Sequence, residues 1–301
     1  MNTLFEPLRQ KERKKRAQID PYYSFWHDGW KRLKRNRFAI YGLIVLTILM
    51  VMAIIGPYFN QYPYYETHLP LKNTPPCKEF WFGTDELGRD MFTRIWWGAR
   101  ISLFVGITAA FIDMVIGVLY GATAAFIGGR LEEVMMRIAD ILYALPNLLI
   151  TILLIVVLNQ GLGTLIIAMT VAGWITMARI VRSQIHQIKR QDYVLAAKAM
   201  GASNVRILLR YLIPNTMGSI ITTVTLTVPT AIFTEAFLSF LGLGVQAPIA
   251  SWGTMACDGL AAMRYYPWRL FLPAAFISIT MLAFNLLGDG LRDALDPRLR
   301  Q

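Results

Sequence analysis

The sequence predicts an all-α membrane protein with six transmembrane helices, on three observations. First, 55% of its 301 residues are hydrophobic and the mean hydropathy is +0.43. A single soluble domain of ordinary composition would lack the polar residues to cover so much apolar surface. Second, uncharged apolar runs recur at the length needed to cross a hydrocarbon core of about 30 Å, roughly 20 residues at about 1.5 Å each. Third, the cations are lopsided. If residues 1–37, 129–137, 179–214 and 289–301 lie on one side, that side holds 23 of the 30 Lys and Arg, and the positive-inside rule makes it cytoplasmic. The net charge of +11 then reports orientation and not nucleic-acid binding, since the basic residues flank apolar runs instead of alternating with aromatics.

Taken in order, residues 1–37 form a basic cytoplasmic segment with 11 Lys or Arg, too long a leader for a cleavable signal. Phe25, Trp26, Trp30 and Leu33 are expected to lay a short helix on lipid headgroups. The first span is 38–59, a 22-residue run without a charge. An extracytoplasmic loop, 60–98, is rich in Tyr, Pro and Trp and contains FGTDELGRDMF. There Asp85, Glu86, Arg89 and Asp90 read as an N-capped, ion-paired surface helix. Residues 99–289 make a five-helix core. Its second span, 101–128, carries Gly106, Gly117 and Gly121 at spacings that let helices approach closely. A short polar turn, GGRLEEVMMR, leads to the third span, 141–158, which Pro146 should kink or start. The fourth, 162–178, ends at Arg179 and Arg182. The fifth begins after Pro214 and contains Pro229, and the sixth is 270–288. A cytoplasmic tail, 290–301, closes the chain, so both termini lie on the cytoplasmic side.

Between the fourth and fifth spans lies DYVLAAKAMGASNVRILLRYLIPN, polar where its surroundings are apolar. Tyr193, Ala196, Ala197 and Met200 fall at i, i+3, i+4 and i+7 and share one small, nearly flat helix face. Gly201 permits a turn, Ser203 or Asn204 can cap a second helix, and Val205, Leu208, Leu209 and Leu212 supply its apolar stripe before Pro214. On composition alone this reads equally as a hairpin lying on the membrane surface.

Ala196-Ala197, then Gly201, then Ile213-Pro214 resembles the "EAA" coupling loop of ABC importer permeases, with Leu195 standing where that family has glutamate. Together with FGTDELGRD, MMRIADILYALP, EAFLSFLGLG, SWGTM and GDGLRDALDP, the chain resembles the C-type permease subunit of the oligopeptide and dipeptide ABC importers, the oligopeptide branch most closely. The resemblance implies the type I ABC importer permease fold, with a coupling loop over 192–214 that docks on an ATPase. It assigns ATPase coupling to Tyr193, Leu195, Ala196, Ala197, Met200, Gly201, Ala202 and Pro214, and makes Asp85, Arg89 and Asp90 candidate contacts for a binding protein. It further implies a heterodimer with a B-type sibling permease, two cytoplasmic ABC ATPases that bind ATP and Mg, an extracytoplasmic peptide-binding protein, and a bacterial cell membrane. The same role in a dipeptide or nickel importer is the alternative, and an ion-coupled peptide transporter stands behind it.

The sequence contains no GxxxxGK[ST], HExxH or GxSxG, so no enzyme activity and no cofactor of its own are expected. Two cysteines and three scattered histidines suggest no metal site. Three acids lie in or near spans, where insertion costs about 2.5 to 3.5 kcal/mol each at the bilayer centre. Asp113, Asp140 and Glu235 are therefore candidates for a polar translocation path or, paired with arginines or backbone donors, for helix packing. Thr222, Thr223, Thr225 and Thr227 are expected to bond back to the carbonyls four residues earlier.

Overall fold

The computed structural model describes residues 25–295; most of the basic leader and the last six residues of the tail lie outside the described residues. Ten helices follow in order: α1 Phe25–Leu33, α2 Arg37–Ile55, α3 Met91–Ile127, α4 Gly129–Ala144, α5 Asn147–Leu158, α6 Leu162–Ile188, α7 Asp192–Ala199, α8 Asn204–Phe240, α9 Trp252–Leu260 and α10 Trp268–Leu295. No β-strand longer than a single bridge occurs among the described residues.

Side-chain caps set several starts. Asn36 accepts from the amides of Phe38 and Ala39 to open α2, Asp90 accepts from Thr93 N to open α3, and Ser251 forms a capping box with Thr254 at α9. Five helices, α2, α3, α6, α8 and α10, are long and apolar enough to cross a membrane, and the pair α4 and α5, bent by 81°, makes a sixth if counted as one broken span.

Several expected boundaries move. The second span starts at Met91, so the division at 98/99 falls inside α3, and that at 289/290 falls inside α10. The polar turn after residue 128 is the amphipathic helix α4, whose exposed Leu131, Val134, Ile138 and Ile141 alternate with inward Glu132, Met136 and Ala139. Charges that look like a turn are one face of a helix. The fourth span runs past Arg179 and Arg182 to Ile188, since both arginines find acidic partners. Pro214 does not begin the fifth span: α8 is continuous from Asn204, with a π turn at Leu208–Leu212 just before the proline. The wider turn accommodates a residue with no N–H to donate, and Asn215 Nδ2 donates to Tyr211 O at 2.6 Å beside it. Leu33 of α1 is buried with Ala39 and Ala294 against α10 instead of facing lipid.

The core is built on small residues of α3. A Cβ at Gly121 would stand 2.2 Å from the carbonyl oxygen of Ala178 in α6, so backbone meets backbone there. One turn earlier Gly117 faces Met177 and Trp174. As expected, Thr222, Thr223, Thr225 and Thr227 donate to the carbonyls four residues back at 2.8 to 2.9 Å.

Candidate functional site

The end of the bundle that carries α7 is the candidate site. Val194 and Ala197 turn inward, and Val194 packs in a cluster with Val181 and Ile185 of α6, Ala122 and Ala125 of α3, and Ile207, Leu212 and Ile220 of α8. Ala197 therefore leaves the face proposed from spacing: it is 2% exposed, while Tyr193, Leu195 and Met200 are 44%, 53% and 81% exposed. Ala196 and Pro214 are exposed too, and Ala202 is partly buried. The result is a shallow apolar surface of Tyr193, Leu195, Ala196 and Met200, held from beneath by two small or branched side chains.

Gly201 adopts φ +81°. Its N–H donates to Lys198 O and that of Ala202 to Ala197 O, both at 3.0 Å, the paired bonds that close a helix on a left-handed residue. Ser203 Oγ then accepts from Arg206 N to start the next turn. Half of the expected stripe after it holds: Leu212 is buried and Leu208 partly so, whereas Val205 and Leu209 are exposed and Ile207, outside the stripe, is buried. The spacing of five residues between the inward pair is what the π turn imposes on a stripe read at α-helical period.

Of the three span acids, Glu235 is fully buried and accepts from Ser102 Oγ at 3.1 Å and Ser239 Oγ at 2.8 Å. Ser102 Oγ in turn accepts from Trp252 N at 3.2 Å. Serine hydroxyls, not arginine or backbone donors, hold this carboxylate, and they tie α3, α8 and α9 together. Asp113 fits tightly against Gly173 of α6, where a Cβ would lie 2.2 Å from Oδ2. Its Oδ1 has no hydrogen-bond partner among the described residues. Asp140 is exposed and pairs with Arg179 at 2.7 Å.

We expect Glu235→Ala, which leaves two buried hydroxyls without their acceptor and opens a cavity, to cost about 2 to 4 kcal/mol of stability. Thermal scans of the assembled complex should register that loss, while uptake per surviving complex stays near wild type. Normal stability with uptake abolished would instead put Glu235 on a transport path.

At the opposite end, FGTDELGRD is a turn closed by a Thr84–Asp90 bridge, not a surface helix. Asp85 accepts from the amides of Leu87 and Arg89 and from Arg89 Nε at 2.6 Å, with Arg94 Nε at 3.3 Å. Asp90 is occupied by Thr93 and by Asn60 Nδ2. All of Asp85, Arg89 and Asp90 are buried, so their polar atoms serve this chain's own loop, and a docking partner would meet Glu86 and Leu87. Arg269, at the start of α10, completes the cluster by donating to Glu86 Oε2, Asn73 Oδ1 and Asp258 O. Neither Arg269 nor Glu132 is prominent in the sequence; an acid in α4 facing Arg182 and His186, four residues apart on α6, was the available signal.

Residues 114–301 match the family of binding-protein-dependent transport system inner membrane components, and residues 24–76 match the N-terminal transmembrane domain of oligopeptide transport permease C. The oligopeptide transport system permease protein OppC of Bacillus subtilis (strain 168) is 60% identical over 278 residues, covering 92% of this chain and 91% of that one. The dipeptide transport system permease protein DppC of the same organism is 57% identical over 293 residues, covering 97% and 92%. A solved chain of the MetNI methionine ABC transporter, in inward-facing conformations, matches with a TM-score of 0.56 at 19% identity over 66% of this chain and 94% of that one. That last likeness is one of fold.

Proposed function

The chain belongs to the family of binding-protein-dependent transport system inner membrane components, and from that premise we propose that it is a transmembrane permease subunit of an ATP-driven oligopeptide importer. It forms half of the translocation pathway and receives the motion of an ATPase through residues 192–214. The observation that carries the coupling role is the exposed surface of Tyr193, Leu195, Ala196 and Met200, rigidly seated by buried Val194 and Ala197 and ended by a left-handed Gly201. A hairpin that merely rested on lipid would need neither the close seating nor the helix-ending turn.

The partners are a B-type sibling permease, two cytoplasmic ABC ATPases that hold ATP and Mg, and an extracytoplasmic peptide-binding protein. Oligopeptide is preferred as cargo because the oligopeptide permease is the more similar of the two B. subtilis relatives and the N-terminal match is to an oligopeptide permease domain. The chain sits in a bacterial cell membrane with α7 on the cytoplasmic side. Leu195 faces out where a glutamate stands in the coupling loop the sequence resembles, so any ion pair made there is replaced by apolar contact.

Proteoliposomes containing this chain, its sibling and both ATPases should take up labelled penta-peptide only with ATP and loaded binding protein. Uptake by this chain alone, without ATP, would contradict the proposal and favour an ion-coupled carrier. The orientation has its own test. In intact cells a cysteine introduced by Ser203→Cys should resist an impermeant thiol reagent, whereas exposed Cys77 should react. Labelling of residue 203 from outside would place α7 on the wrong side for an ATPase.

A further inference from the structure

Helices α4 and α6 are joined at two separated points. At one, Glu132 Oε1 accepts from Arg182 Nε and lies 2.7 Å from His186 Nε2. At the other, Asp140 Oδ1 accepts from Arg179 Nη2 at 2.7 Å, and that guanidinium also covers the Tyr143 ring at 4.1 Å. As the α4 number rises from 132 to 140, the α6 partner falls from 182 and 186 to 179, so the helices run antiparallel with the anchors about 12 Å apart along α4 and about 4.5 to 10.5 Å apart along α6. Met136 and Ala139 of α4 share an apolar cluster with Ile175 and Ala178 of α6, which lie just beyond the Arg179 anchor.

Ion pairs whose cations stay partly exposed, as Arg179, Arg182 and His186 do, add little to stability, typically about 1 kcal/mol or less each. Their spacing does something else. One contact is a pivot, whereas two contacts on a common seam fix both register and angle. Three further facts bear on what is being fixed. Helix α6 ends at Ile188 and α7 starts at Asp192, so α7 pushes on α6 through three residues. Lys189, in that connection, donates to Phe126 O at 2.7 Å and Ala125 O at 3.3 Å, capping the free carbonyls at the end of α3. Beyond Asp140, α4 reaches extended Leu145 (ψ 137°) before Pro146, and α5 leaves at 81°. A residue before proline is driven out of the helical region, so the backbone there carries no continuous helical ladder to resist bending.

The geometry points to a two-point charge clamp, Glu132 with Arg182 and His186 and Asp140 with Arg179, that makes α4 move as one body with α6 and the coupling helix α7, the displacement being absorbed at the Leu145–Pro146 bend. This inference rests on the coupling role proposed above. It makes Glu132 and Asp140 positioning residues: they touch no cargo, and they determine whether motion at α7 carries α4 with it as far as the bend.

The test uses the complete reconstituted complex and reads peptide uptake per ATP hydrolysed. Glu132→Ala should lower that ratio at least fivefold while sibling and ATPases copurify in wild-type proportion, and Glu132→Asp should restore part of it. Reversing the second pair, Asp140→Arg with Arg179→Asp, should recover most of what Asp140→Arg alone loses. A second arm does not depend on those variants assembling. In a Cys77→Ser, Cys257→Ser background, Asp140→Cys with Arg179→Cys lacks the second pair, and linking the two cysteines by a short bifunctional maleimide should raise uptake per ATP at least twofold, toward the wild-type ratio. Loss of uptake on linking would show that α4 must slide on α6 and would overturn the clamp, as would an unchanged ratio in both Glu132→Ala and Asp140→Arg. Wild-type complex that fails to couple uptake to ATP in the same assay would instead refute the permease reading, so the two failures are distinguishable.

Discussion

Replacing Gly121 with valine is expected to remove nearly all assembled permease from the membrane. A single Cβ at that position would lie 2.2 Å from Ala178 O and 2.9 Å from Ala178 C. No rotamer change relieves the overlap, because the obstruction is backbone in the middle of a long helix. The α3–α6 contact would have to open by an ångström or more along a seam that also includes Gly117 against Met177. Overpacking typically costs about 1 to 3 kcal/mol where neighbours can yield, and here they cannot. The consequence extends to α7, since Ala122 and Ala125 of α3 are part of its seat. The yield of complex copurifying with the sibling permease, and its thermal midpoint, should both collapse for Gly121→Val and fall measurably for Gly121→Ala. A wild-type midpoint for the valine variant would mean that α3 and α6 do not meet as described.

Replacing Gly201 with valine should have the second largest effect and a different character. Crowding contributes nothing: a Cβ at Gly201 would meet nothing within 4 Å. What remains is backbone strain at φ +81°, about 1 to 3 kcal/mol for a β-branched residue held in the left-handed region. Paired amide bonds to Lys198 O and Ala197 O depend on that conformation. If valine relaxes to negative φ, both bonds break and the end of α7 swings away from its seat. The spans are untouched. Gly201→Val should therefore insert and pair normally but bind its ATPase less tightly, whereas Gly201→Asn, which tolerates this conformation, should stay near wild type. Equal loss in both variants would show that side-chain bulk, not strain, matters there.

How much of this was legible in the sequence follows from which signals are local. Span existence was, because apolar length is a property of a contiguous window. So was the cap at Ser203 and the glycine turn, which depend on neighbours a few residues away. Register failed where a local period was broken by something the pattern does not display. Before Pro214 the inward pair is Ile207 and Leu212, five residues apart across the π turn, so Leu212 of the expected stripe holds while Val205 and Leu209 face out. Helix α4 failed for a related reason: its charges suggested solvent, but Glu132 is turned toward Arg182 and His186 fifty residues later. The acids of FGTDELGRD were misjudged in the same way. Asp85 and Asp90 look like surface charges, and they are buried caps and ion-pair partners whose donors include residues up to 30 positions distant. Long-range partners of charged groups leave no periodic trace, so burial of a charge is what a single sequence conceals best.

The central claim is that the exposed face of α7 couples this chain to an ATPase. Ala196 lies on that face and supports nothing beneath it, so Ala196→Arg alters the surface and leaves the seat of Val194 and Ala197 intact. In the complete complex, peptide uptake per ATP hydrolysed should fall at least tenfold for Ala196→Arg, with sibling pairing unchanged, while Leu195→Glu keeps the wild-type ratio. A wild-type ratio for Ala196→Arg would contradict the account and leave residues 192–214 as a hairpin on the membrane surface.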